Sequence, residues 1–152
     1  MPYLAVVRVR GRTGIRPEIK GALEVLSLTR INHCVILNET PQIRGTLNVC
    51  KDYVTWGELS SDVLAKMLEK RGRLPGNKRL TLEYLKSKGY DGFDKLAEAI
   101  LSGKVKLKDA GLKKVLRLSP PRGGYKITKL PYPRGALGYR GEKINDLLRR
   151  MM

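Results

Sequence analysis

Few residues here could move a proton or hold a metal at neutral pH. His33 is the single histidine; it lies in a strand-forming run and has no base to pair with, so it reads as a packed or surface side chain. Asp91 and Asp94 are the carboxylate pair of note. Gly92 and Phe93 between them read as a turn into a helix rather than as a metal-dependent nuclease site. Cys34 and Cys50 lie sixteen positions apart without a CxxC partner or a nearby histidine pair, and each reads as a small buried hydrophobe. No enzyme activity, metal, cofactor or small-molecule substrate is expected.

Cations are abundant instead. The chain holds 31 Lys and Arg against 14 Asp and Glu, a formal charge of +17, with a pI of about 10.2. Such charge repels itself in a compact fold, and neutralising phosphates is the reading that explains it. A membrane surface is the rival polyanion, but no apolar run approaches the roughly 20 residues a spanning helix needs. The start, Met1-Pro2-Tyr3-Leu4, shows no secretory signal. A cytoplasmic location is expected, with no membrane partner.

The charge is uneven. Residues 1–58 hold 8 basic and 5 acidic side chains, whereas residues 104–140 hold 11 basic residues and the lone acid Asp109. That segment interleaves cations with tyrosines and glycines, including Tyr125, Tyr132, Tyr139, Gly123 and Gly124. Cations neutralise phosphates, rings stack on splayed bases, and glycines let the backbone approach closely. The candidate contacts are Lys113, Lys114, Arg117, Arg122, Tyr125, Lys126, Lys129, Arg134, Tyr139 and Arg140. A disordered solvated tail is the competing reading, which recurring tyrosines and prolines before a patterned helix disfavour.

Two smaller groups are less specific. Arg8, Arg10, Arg12 and Arg16 form a comb around Thr13 and Gly14, suited to bidentate phosphate contacts but equally consistent with a solvated turn. Gln42, Arg44 and Gly45 start a helix and offer a phosphate seat, with a solvent-facing first turn as the equal alternative.

Periodicity places these groups on elements. Strand formers over residues 3–9, broken by Arg8 and Arg10, predict a strand with one face toward a charged environment. Pro17 opens a helix with Ile19, Ala22, Leu23 and Leu26 on one stripe, ending near Leu28. Residues 32–37 form a second strand. Thr40-Pro41 caps a second helix, and Tyr53 to Trp56 close a β-α-β-α-β unit with a three-stranded sheet. Beyond it, Ser61 caps a helix that Gly72 stops, and Thr81 caps another with Leu82 and Leu85 inward. Phe93, Leu96, Ala97 and Ile100 mark a third, and Val115 to Leu118 add a strand. The tail is expected to stay irregular up to Gly141. Ile144, Leu147, Leu148 and Met151 then predict a closing amphipathic helix docked back on the first unit. The expected division is a core domain over residues 1–58 and, over 59–152, a helical subdomain with a basic tail.

Several stretches carry a family resemblance: Val7-Arg8-Val9-Arg10-Gly11 leading to Gly14-Ile15-Arg16-Pro17, Leu26-Ser27-Leu28-Thr29-Arg30-Ile31-Asn32, and Thr40-Pro41-Gln42-Ile43-Arg44-Gly45. Residues 3–56 resemble the large-subunit ribosomal protein L-thirty family, called L-seven in eukaryotes. Residues 59–152, with Ser119-Pro120-Pro121-Arg122-Gly123-Gly124 and Leu137-Gly138-Tyr139-Arg140-Gly141, resemble the extension of its archaeal and eukaryotic branch. A long basic N-terminal arm is lacking, as in the archaeal form. The resemblance implies an α+β, ferredoxin-like core plus a C-terminal subdomain, buried partly in large-subunit rRNA beside neighbouring ribosomal proteins. It also implies RNA contacts for Arg10, Arg12, Arg16, Arg30 and Arg44. The competing expectation is a free RNA- or DNA-binding regulator or chromatin-like protein, although no helix carries a basic stripe suited to a major groove.

Overall fold

The computed structural model describes residues 3–152. Its first five elements follow the predicted order: β1 (Tyr3–Arg8), α1 (Pro17–Val25), β2 (His33–Asn38), α2 (Pro41–Val49) and β3 (Val54–Glu58). Helix α1 stops earlier than expected, because Ser27 takes a positive φ of 63°. The Thr40 hydroxyl accepts a hydrogen bond from the Ile43 N–H at 3.2 Å, and Pro41 supplies a φ already set for the first turn of α2.

Strand β1 pairs antiparallel with β2 on one edge and with β3 on the other. Alternation along it sends Leu4 and Val6 to one face, where they meet Leu23 and Leu26 from α1 and its cap and Leu47 from α2. Ala5 and Val7 point to the other face and pack with Cys34, Ile36 and the second part of the chain. Both faces of β1 are therefore dry, which corrects the expectation of a charged face: a strand covered on both sides reads as a continuous apolar run. Arg8 itself is 3% exposed. Its guanidinium donates to the carbonyls of Leu28 at 2.7 Å, Arg10 at 3.0 Å and Gly11 at 3.1 Å, so it holds the loops flanking α1 rather than an outside anion.

The second part comprises α3 (Ser61–Arg71), a two-residue hairpin β4 (Arg73–Leu74) and β5 (Lys78–Arg79), α4 (Leu82–Ser87), α5 (Phe93–Leu101), β6 (Val115–Arg117), β7 (Ile127–Pro131), β8 (Gly135–Tyr139), a 3-10 turn at Gly141–Lys143 and α6 (Ile144–Met151). The cap of α3 is Ser60, not Ser61, and the predicted Thr81 cap accepts from the Tyr84 N–H at 3.3 Å. Leu82 is 49% exposed, so only Leu85 of that pair turns inward. Gly72 ends α3 with an ordinary φ of −60°. A side chain is excluded there for another reason: a Cβ would lie 2.4 Å from the Leu68 carbonyl oxygen.

The tail is not irregular up to Gly141. Strand β8 runs parallel to β3, with Thr55 opposite Gly138 and Trp56 opposite Tyr139, and β7 flanks it to complete the sheet order β6-β2-β1-β3-β8-β7. The cause lies in the outer edges of β2 and β3, whose backbone groups a three-stranded sheet would leave unpaired. Short strands broken by Pro131, Gly135 and Gly138 show no alternation from which to foresee this.

Helix α6 docks back as expected, burying Ile144, Leu147, Leu148 and Met151. Gly57 makes the approach feasible, since a Cβ there would stand 1.9 Å from the Gly141 carbonyl oxygen. Asn145 locks the contact: its carbonyl accepts from the Ser60 N–H at 3.0 Å, and its amide donates to the carbonyls of Glu58 at 3.1 Å and Glu142 at 3.0 Å. Cys34 and Cys50 are buried and free.

Arg8 is the sharpest test of this framework. Arg8→Ala strands three carbonyls and is expected to cost about 3 kcal/mol in urea unfolding. Arg12→Ala, at an exposed position, should stay within about 0.5 kcal/mol.

Candidate nucleic-acid interface

The strand directions bring one end of the sheet into a single surface. Register pairs Val7 with Cys34, Arg8 with Val54 and His33 with Arg117, so the end of β1, the starts of β2 and β3 and the end of β6 lie together. Val9 packs there on Ala136, Leu137 and Tyr125, which adds the start of β8. Arg10 and Arg12 leave this end of β1, Arg30 leads into β2, and Arg117 closes β6. Arg122 and Lys126 follow in the next loop. All but Arg10 are exposed; the Arg10 guanidinium sits 4.9 Å from the Tyr53 ring centroid. Lys129 and Arg134 extend the surface along β7, a strand exposed over its whole length. Arg16 is exposed at the N-cap of α1.

His33 lies among these cations. Its pKa is pushed below the ordinary 6.5, first by burial and then by the charges of Arg117, Arg30 and Arg8. Its Nδ1 is buried without a hydrogen-bond partner.

Two expected contacts face inward. The Tyr125 hydroxyl donates to Asn32 Oδ1 at 2.6 Å, and burial pushes its pKa up. Arg140 donates from Nε to the Thr55 hydroxyl at 2.8 Å and from a terminal nitrogen to the Ala136 carbonyl at 2.8 Å. Its guanidinium lies 5.2 Å from the Tyr132 ring centroid, and burial lowers its pKa. These side chains fasten the exposed arm to the sheet.

Four others sit away from this surface. Lys113 and Lys114 precede β6, toward the opposite end of the sheet. Arg44 forms an ion pair with Glu39 at 2.5 Å, which places a carboxylate beside the start of α2. The Tyr139 hydroxyl hydrogen-bonds Glu58; that bond, then desolvation, then the charges of Glu58, Glu39 and Glu142 push its pKa up to about 12. Its ring stands 6.5 Å from that of Trp56.

A family model described as Ribosomal protein L30p/L7e matches residues 4–54. The chain is 51% identical to the large ribosomal subunit protein uL30 of Methanosphaera stadtmanae, over 97% of this chain and 99% of that one. It is 50% identical to the protein of the same name from Archaeoglobus fulgidus, over 97% and 98% of the two chains. For that of Thermofilum pendens the identity is 47% over the full length of both. The chain belongs to the L30p/L7e family. The family match spans β1 to the start of β3, and the similarity to these L30p/L7e relatives continues through the extension to α6.

Two further cations of this L30p/L7e chain carry no local sequence signal. Arg150 donates to the carbonyls of Arg122 at 3.2 Å and Gly124 at 3.3 Å, adding charge beside the arm. Its place in the last turn of α6 signals only a helix-dipole partner, and nothing local ties it to a loop so distant in sequence. Lys20 on α1 lines a cleft of about 250 Å³ with Arg8, Arg12, Thr29 and the carboxylate of Glu24. Its position on a polar helix face gave no warning.

The depressed His33 pKa has a definite sign. Below pH 6.5 the unfolded chain binds a proton that the folded chain resists, so stability falls as pH drops through 6.5. Urea midpoints should decline between about pH 7.5 and 5.5 more steeply in wild type than in His33→Gln.

Proposed function

We infer that this chain is a structural constituent of the large ribosomal subunit, where it binds rRNA and assembles with other ribosomal proteins, and that the cationic end of the sheet is its principal RNA surface. The carrying observation is the convergence of Arg10, Arg12, Arg30, Arg117, Arg122 and Lys126 on that end through strand register, in a chain about half identical to uL30 proteins over nearly its full length. Their role is positional rather than catalytic. Exposed guanidinium and ammonium groups on a packed sheet meet backbone phosphates, release counterions and fix the protein's orientation.

The exposed arm widens the footprint. Tyr125, Arg140 and Tyr132 hold its base, leaving Lys126, Lys129 and Arg134 free to contact phosphates with little ordering cost. At the other end, Glu39 and Glu58 make Arg44 and Tyr139 poorer phosphate contacts. We also propose a division of roles near Glu58: residues 1–58 supply the arginine loops, and residues 59–152 supply the arm and cover the second face of β1.

The test is a salt titration of binding to a large-subunit rRNA transcript. Combined Arg122→Ala, Lys126→Ala and Arg134→Ala should reduce the slope of log affinity against log salt by about 2 to 3. Combined Lys66→Ala, Lys70→Ala and Lys86→Ala, which removes equal charge from exposed helix positions, should weaken binding much less. A flat salt dependence, preference for duplex DNA, or co-sedimentation with small subunits would overturn the proposal.

A further inference from the structure

A second site lies on the outer edge of β2. The last registered pair of β2 and β6 is Val35 with Val115. The next residues diverge, and the Lys113 N–H donates to the Arg73 carbonyl at 2.9 Å. Residues 36–38 therefore have no strand beside them on that side among the described residues, which leaves backbone donors and acceptors on the rim of a cleft of about 450 Å³. Its walls are Ile36, Leu37, Ile100, Val105, Leu107 and Leu112, with the Tyr3 side chain completing them. Lys106, Lys108 and Lys114 ring it together with the amide of Asn38, and no carboxylate lines it.

We propose that this cleft seats an unstacked base of single-stranded RNA, with the three lysines on the adjoining phosphates. The inference rests on the RNA-binding reading above and adds a site apart from the cationic sheet end. Each part of a nucleotide finds its chemistry: apolar walls and a tyrosine ring take a base face, while an open strand edge and Asn38 meet its polar rim. The volume falls in the range of small-ligand sites. An added peptide strand would also use the free edge, but only residues 36–38 are open and every charged side chain that lines the cleft is a lysine, which favours the polyanion.

The test titrates isotope-labelled full-length protein with an eight-nucleotide oligoadenylate RNA and with an abasic strand of equal length, followed by NMR. Oligoadenylate should shift the amide signals of Ile36, Leu37, Asn38 and Val105, and the abasic strand should leave them in place. Combined Lys106→Glu and Lys108→Glu, at exposed positions where the spectrum will report an intact fold, should weaken oligoadenylate binding about tenfold or more. The Arg122, Lys126 and Arg134 triple variant should keep the Leu37 shift, so a fault in the sheet-end reading shows separately. Equal binding of the abasic strand, shifts confined to the sheet end, or an acidic peptide that binds the cleft where oligoadenylate does not would each overturn the proposal.

Discussion

Strand β1 is dry on both faces and paired on both edges, and the rest of the structure follows from that. Four apolar side chains in succession, Leu4 to Val7, are fully or almost fully buried, so a layer of helices must lie on each side. Helices α1 and α2 cover one face. The first 58 residues contain nothing to cover the other, and Val63, Leu64, Leu96, Leu147 and Leu148 do so from three later helices. At roughly 25 cal/mol per Å² of apolar surface, leaving that face wet would offset much of the margin of a domain this size.

The same constraint explains the tight backbone contacts. Gly57 lets the turn before α6 reach β3, and Gly72 lets the chain leave α3 close against Leu68. Buried polar groups mark the seams. Arg8 satisfies three carbonyls at the mouth of the first helical layer, and Asn145 joins β3, the start of α3 and α6. Buried groups of this kind fix one arrangement because every alternative leaves a donor or acceptor unmet.

The proposed RNA surface is built on that rigidity. Paired strands hold the cationic residues of distant sequence segments side by side, an arrangement in which phosphate contacts would need little further ordering. His33 marks this crowding: burial first, and then the charges of Arg117, Arg30 and Arg8, oppose its protonation. A bound phosphate backbone would relieve it.

Local pattern was enough to place the first five elements, helices α3, α4 and α5, strand β6, the amphipathic α6 and the excess of charge, because helix stripes, caps and strand-forming runs act over a few residues. Family resemblance was legible from local stretches such as Thr40 to Gly45 for the same reason. Long-range pairing set the β7–β8 arm and sorted the cations. Strands β7 and β8 exist because β3 had an edge to fill, and no periodicity within residues 127–139 could announce a partner some 80 positions away. Among the candidate cations, pattern could not separate Arg122, exposed at the sheet end, from Arg140, spent on Thr55 and Ala136, or from Arg44, paired with Glu39. Residue type sets what a guanidinium can bind; the fold sets which acceptor it meets.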